Sequence, residues 1–254
     1  MGQAHRHGTP TWVDLSTPDV EAAAGFYEGL LGWTIDKHAS PVGDYYLGTV
    51  SGHEVGGMMA AAPQEAGLPA TWTVLFEVAD VDATVAAVEE GGGSILEQPF
   101  DLPDARIAIL ADCTGGVFGV VSNATPTGTW LSSAPGAVCW VELLTRDPDA
   151  AIGFYERVFG WHVSTEIYGE VRYTTFTLDG ELVAGAMMMP DEVPAELSAV
   201  WSVSFAVEDC PASERRAREL GGQVVKPTTR VGQGRFAVVE DPQGATLQLM
   251  DQHR

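Results

Sequence analysis

The chain has 254 residues, enough for one large domain or two of ordinary size. With 45% hydrophobic and 19% charged residues it can bury a sizeable core, which excludes wholesale disorder. A formal net charge of −22 disfavours nucleic acid and anionic membrane surfaces, because both need a basic face.

The N-terminal MGQAHRHGTPTWVD has no apolar run before its turn residues, so no secretory signal is expected. No stretch approaches the ~18 apolar residues of a membrane span, and a cytoplasmic location is the simplest expectation. Cys113, Cys139 and Cys210 lack CxxC spacing, so neither a disulfide framework nor a thiolate zinc site is predicted.

The first alternating run, TWVDL, predicts a strand from Thr11. Asp19 then stands where a helix N-cap belongs, with Ala22, Phe26, Leu30 and Leu31 as the apolar stripe and Gly32 as the stop. Trp33 opens a further strand, and YYLGTVSGHEVGGMMAA reads as two short strands around a turn. TWTVLFEVAD then repeats the opening, with Asp80 before a second helix that ends at Gly91 and RIAILADCTGGVFGVVS as its following strands. SNATPTGTWLSSAPG is rich in Ser, Thr, Pro and Gly and reads as a linker.

Beyond the linker the pattern starts again. GFYEGLLGW at Gly25–Trp33 returns as GFYERVFGW at Gly153–Trp161, Trp12 as Trp140, Tyr45 as Tyr173 and Arg106 as Arg235. Asp147 and Asp209 precede the third and fourth predicted helices, and DG and PQG mark hairpin turns. The chain is therefore expected to be two copies, residues 10–122 and 137–252, joined by 123–136. Each copy holds two units of strand, helix and about three strands. The expected class is α+β, with largely antiparallel sheets covered by helices on one face.

Four βαβββ modules with GFYERVFGW, VAGAMMM and EDPQGATLQLMD resemble the vicinal oxygen chelate superfamily of glyoxalases, bleomycin resistance proteins and ring-cleaving dioxygenases, in its tandem form. The resemblance implies two glyoxalase-like domains whose curled mixed or antiparallel sheets surround clefts. It also implies metal ligands on the first and last strands of the modules. Those positions fall here on Trp12, Thr73, Trp140 and Ser202, on Gly119 and Gln248, and near Gly57–Met58 and Gly185–Met187. None is His, Asp or Glu, so no metal and no cofactor is expected.

Strand alternation then sorts the faces. If Trp12 faces the cleft, so does Asp14, while Val13 and Leu15 face the helix; Trp140 and Glu142 pair in the same way. Candidate ligand contacts are Trp12, Tyr45, Met58, Thr73 and Arg106 in the first copy, and Trp140, Tyr173, Met187, Ser202, Arg235 and Gln248 in the second. Asp14, Glu77 and Glu142 are the candidate acid/base groups.

The expected function is metal-independent binding of a small aromatic or polycyclic natural product or drug in a Trp-lined cleft, for resistance or sequestration. The alternatives are a cofactor-free lyase, isomerase or hydroxylase-like enzyme of secondary metabolism using a cleft carboxylate, and a metal-dependent glyoxalase or dioxygenase. The expected partner is a small molecule, with no nucleic acid and no membrane, in a monomer or homodimer.

Overall fold

A computed structural model describes residues 7–40, 43–123, 133–191, 193, 196–231 and 234–252. In the first copy, strand β1 (Thr9–Thr17), helix α1 (Val20–Leu31) and strands β2 (Thr34–Ser40), β3 (Gly43–Val50) and β4 (His53–Ala60) form one module. Strand β5 (Thr71–Glu77), helix α2 (Val81–Glu90) and strands β6 (Ser94–Leu102), β7 (Ala105–Ala111) and β8 (Val117–Asn123) form the next. The second copy repeats the order with β9 (Val138–Thr145), α3 (Pro148–Phe159), β10 (His162–Tyr168), β11 (Val171–Leu178) and β12 (Glu181–Met188). It closes with β13 (Ala199–Ala206), α4 (Cys210–Glu219), β14 (Gln223–Val231), β15 (Gly234–Glu240) and β16 (Thr246–Gln252).

Each copy makes an eight-stranded sheet, in the orders β2-β3-β4-β1-β5-β8-β7-β6 and β10-β11-β12-β9-β13-β16-β15-β14. The sheets are mixed. Hairpins within a module pair antiparallel, but β1 with β4, β5 with β8, β9 with β12 and β13 with β16 run parallel. The reason is the module itself: a helix returns the chain after its first strand, so the last strand can lie beside the first in the same direction. The fold is α+β.

All four helices start in the same way. Asp19, Asp80, Asp147 and Asp209 each accept a hydrogen bond of 3.0 Å from the amide three residues on. Such a cap contributes about 1 kcal/mol. Gly32 (φ 70°) and Gly160 (φ 68°) close α1 and α3 in the left-handed region that glycine adopts without strain.

The buried side of α1 differs from the predicted stripe. Ala22 is exposed, while Ala23, Ala24, Phe26, Tyr27, Leu30 and Leu31 are buried. Tyr27 belongs to the core because its hydroxyl finds buried partners.

The described residues fall into two compact units, one within 12–73, 133–140 and 202–252, the other within 7–11, 74–123 and 141–201. The first contains α1 and α4. There Tyr27 donates to Asp241 Oδ2 (3.0 Å) and accepts from Trp72 Nε1 (3.0 Å), and Trp33 and Trp72 pack edge-on to one another and against Phe205. Asp241 Oδ1 meanwhile accepts the amides of Gln243 (2.8 Å) and Ala245 (2.9 Å), fixing the turn before β16.

The second unit contains α2 and α3 and repeats the device. Tyr155 donates to Asp112 Oδ2 and accepts from Trp201 Nε1, both at 2.9 Å. Phe76, Phe118, Phe159 and Trp161 surround it with ring centroids 5.0–6.0 Å apart where they touch. Burial pushes the Tyr27 and Tyr155 hydroxyls far above the ordinary tyrosine range, with the facing carboxylates adding to it. Both remain protonated donors.

Candidate functional site

The alternation of β1 separates two chemistries. Val13 and Leu15 are fully buried, and a Cβ on Gly56 would meet Val13 and Trp33, so this face lies under α1. Trp12, Asp14 and Ser16 are half-buried on the opposite face. In register, Asp14 stands opposite Gly57 of β4 and Met59 stands opposite Tyr45 of β3.

These residues form a closed hydrogen-bond triangle. Trp12 Nε1 donates to Tyr45 Oη (2.8 Å) and to Asp14 Oδ1 (3.0 Å), and Tyr45 Oη donates to Asp14 Oδ1 (2.5 Å). Gly57 makes the space for it. A Cβ there would lie 1.7 Å from Tyr45 Oη, 2.1 Å from Cζ and 2.7 Å from Asp14 Oδ1.

Although part of its surface is accessible, Asp14 is held above the ordinary carboxylate range by desolvation, against the lowering pull of the Tyr45 and Trp12 hydrogen bonds. Tyr45 is pushed far above the ordinary tyrosine range, first by burial and then by the charge of Asp14. The phenol therefore stays a donor, and Asp14 Oδ1 accepts from it and from Trp12.

The second copy has the same layout with a longer acid. Tyr173 donates to Glu142 Oε2 (3.0 Å), Glu142 stands opposite Gly185, and Met187 stands opposite Tyr173. Trp140 is half-buried two residues before Glu142 on β9. On the neighbouring strands, Ser204 Oγ donates to Gln248 Oε1 (3.2 Å) and Gln248 Nε2 donates to Ser202 Oγ (3.1 Å). Ser204 shares a strand face with Ser202, as their two-residue spacing predicts, and it joins the group through Gln248.

Several expected contacts lie elsewhere. Met58 is fully buried on the α1 side, opposite Leu15 and Tyr46, and Met59 holds the position beside Tyr45. The two adjacent methionines differ by one residue, and one residue reverses the face of a strand. Arg106 is bound by Asp82 and Asp101, both at 2.8 Å, and Arg235 by Asp251 at 2.6 Å. Their guanidinium groups are already engaged by local carboxylates.

Asp14 belongs to the α1/α4 unit and Glu77 to the α2/α3 unit, where Glu77 is buried on β5 opposite Val121. Thr73 is half-buried on the same strand. The thiols are no substitute nucleophiles. Burial pushes Cys139 up to about 12 and raises Cys113 and Cys210 as well.

The positions where the resemblance implies metal ligands do not offer them. The Trp12 indole donates a hydrogen bond and has no lone pair for a cation. At Gly119 a Cβ would lie 2.8 Å from Leu75 Cγ, so Leu75 fills that place. The Gln248 amide oxygen accepts from Ser204. Among the described residues no three His, Cys, Asp or Glu side chains form a group that could hold a metal ion. The donor set does not fit a divalent ion, which needs about three lone-pair ligands.

Comparison with known proteins agrees with the fold. Residues 9–120 and 138–249 match the family described as the Glyoxalase/Bleomycin resistance protein/Dioxygenase superfamily. The chain belongs to this superfamily, with one match in each copy. It is 39% identical to "Putative glyoxylase CFP32" of Mycobacterium tuberculosis, over 97% of this chain and 95% of that protein. It is 34% identical to "Anthracycline biosynthesis protein DauV" of Streptomyces sp. strain C5, over 96% of this chain and 93% of that one.

Among solved structures, the Mn(II)-bound glyoxalase of Novosphingobium aromaticivorans aligns with a TM-score of 0.67 at 17% identity, covering 98% of this chain and 83% of its own. The 2,3-dioxygenase LapB of Pseudomonas sp. KL28 aligns with a TM-score of 0.67 at 13% identity, covering 99% and 94%. These two likenesses concern the fold. No helix among the described residues is long and apolar enough to cross a membrane.

Proposed function

We propose that the protein binds a small, flat aromatic natural product against Trp12 and Trp140 without the help of a divalent metal. The observation that carries this is the tethered indole of Trp12. Its single N–H is held by Asp14 and Tyr45, so the ring has a fixed orientation and a partly exposed surface where the fold family would place a metal ligand. A pre-oriented ring loses little conformational entropy on stacking with a ligand. The likeness to a protein named for anthracycline biosynthesis supports a polycyclic aromatic ligand. The test is titration of chelator-treated protein with tricyclic and tetracyclic aromatic quinones, read by tryptophan fluorescence. Saturable quenching that disappears in Trp12→Leu is expected. Binding that appears only after a divalent metal is added would overturn the reading.

A second reading has its own observation in Asp14. A carboxylate raised by desolvation and oriented by a phenol is a better general base than a solvated one. The protein would then be a cofactor-free lyase or isomerase of secondary metabolism, with Glu142 as the corresponding acid of the second copy. Turnover that survives chelation and is lost in Asp14→Asn, with binding retained, would favour it over simple sequestration.

A further inference from the structure

Resting on the aromatic-ligand reading above, the geometry points to Asp14 Oδ2 as an acceptor that selects a ligand bearing a hydroxyl donor, a neutral phenol or hydroquinone, over the same ring without one. The argument is a count of protons and lone pairs. Trp12 has one N–H, shared between Tyr45 Oη and Asp14 Oδ1. Tyr45 has one O–H, directed to Asp14 Oδ1. Both donors converge on one carboxylate oxygen, and neither has a proton left for a guest.

The second oxygen, Oδ2, receives no hydrogen bond from the described residues. It also keeps accessible surface, because the buried side-chain polar atoms without a partner are Thr9 Oγ1 and Gln243 Oε1. Among the described residues the site offers an open carboxylate oxygen, an acceptor when ionised, beside an aromatic ring. A ligand carbonyl or ether oxygen finds no donor there and meets a negative charge. A ligand hydroxyl finds a charge-assisted partner.

The arrangement is rigid in the sense that matters. Tyr45 cannot swing over Gly57 to free its proton without losing both of its hydrogen bonds, and it stays protonated at neutral pH because burial and Asp14 raise it. The opposite polarity, a donor facing the ligand, would need Asp14 to be protonated at Oδ2 or replaced by an amide. In Asp14→Asn the side-chain oxygen should remain with the two donors of Tyr45 and Trp12. Its NH₂ would then take the place of Oδ2.

The experiment compares 2-naphthol with 2-methoxynaphthalene, titrated into the full chain at neutral pH by calorimetry. The phenol should bind about tenfold or more tightly than its methyl ether, the scale of one charge-assisted hydrogen bond. In Asp14→Asn, checked for a native circular dichroism spectrum, the preference should collapse to about twofold or reverse. Equal affinity of the two probes for the unmodified protein would overturn the selection by Asp14 while leaving the aromatic site standing. Absence of binding by both would overturn the aromatic site as well. The unmodified protein alone decides between these outcomes, so the result does not depend on the variant folding.

Discussion

Tyr27→Phe is the sharpest test of what the repeated GFYE segment does. The ring would stay, packed against Trp33 and Trp72 at centroid distances of 5.6 and 5.3 Å, so no large cavity forms. What disappears is one oxygen with two roles. It donates to Asp241 Oδ2 and accepts from the buried Trp72 Nε1. Losing a hydrogen bond to a carboxylate costs about 1.5–3 kcal/mol, and leaving a buried N–H without an acceptor costs about 1–3 kcal/mol. Asp241 Oδ1 keeps its amide partners, so the turn before β16 should persist. The expected loss is about 3 kcal/mol, read as a lower urea midpoint with an unchanged slope. Tyr155→Phe should cost a similar amount, since its two hydrogen bonds are equivalent in partner and length. A loss below about 1 kcal/mol in both variants would refute the view that these hydroxyls organise the helix-side cores.

The other expectations concern the site and the arginines. Gly57→Ala should displace the Tyr45 ring, because no Cβ fits 1.7 Å from its oxygen; a cost of about 1–3 kcal/mol and weaker aromatic binding are expected, measured by thermal unfolding and calorimetry. Asp14→Asn should raise the melting temperature at neutral pH. The sign follows from burial: a carboxylate raised on folding is most favourable below its unfolded value, and that contribution is lost as pH rises through the folded value. The gap between variant and parent should therefore close as the pH falls into the ordinary carboxylate range, and a gap independent of pH would contradict the desolvation of Asp14. Arg235→Met should be clearly destabilising, because it removes the guanidinium from Asp251, which is 1% exposed and keeps only its other partners, the Cys210 and residue-235 backbone amides among them. Arg106→Met should have little effect on stability and leave ligand affinity unchanged, because Asp82 and Asp101 are 63% and 77% exposed. Parallel chemical denaturation of the two variants separates these cases.

Much of the architecture is readable in the residues. The helix starts are legible at Asp19, Asp80, Asp147 and Asp209, because a cap is a contact between residues three apart. The faces of β1 follow from strand alternation, which needs no tertiary information. Met58 and Met59 were harder. Each is an apolar residue in a run of apolar residues, and only the pairing with Leu15, Tyr46 and Tyr45 tells which one faces α1. For Arg106 and Arg235 a local acid partner is readable, but which carboxylates serve is not, because Asp82 and Asp251 approach through the fold.

The sequence alone determined that this protein is a tandem βαβββ chain whose residues at the positions where the resemblance implies metal ligands are not His, Asp or Glu. Residue type, local spacing and internal repetition carry the tandem pattern, because they are read along the chain, and the family resemblance supplies the ligand positions. The tertiary structure decided two further matters. It made Tyr27 and Tyr155 the polar hubs of the cores, through carboxylates more than forty residues away in sequence for Tyr155 and more than two hundred for Tyr27. It also joined Trp12, Asp14 and Tyr45 into one triangle with both donors on one oxygen. Hydrogen-bond direction depends on atoms brought within about 3 Å by packing, and no one-dimensional pattern records that distance.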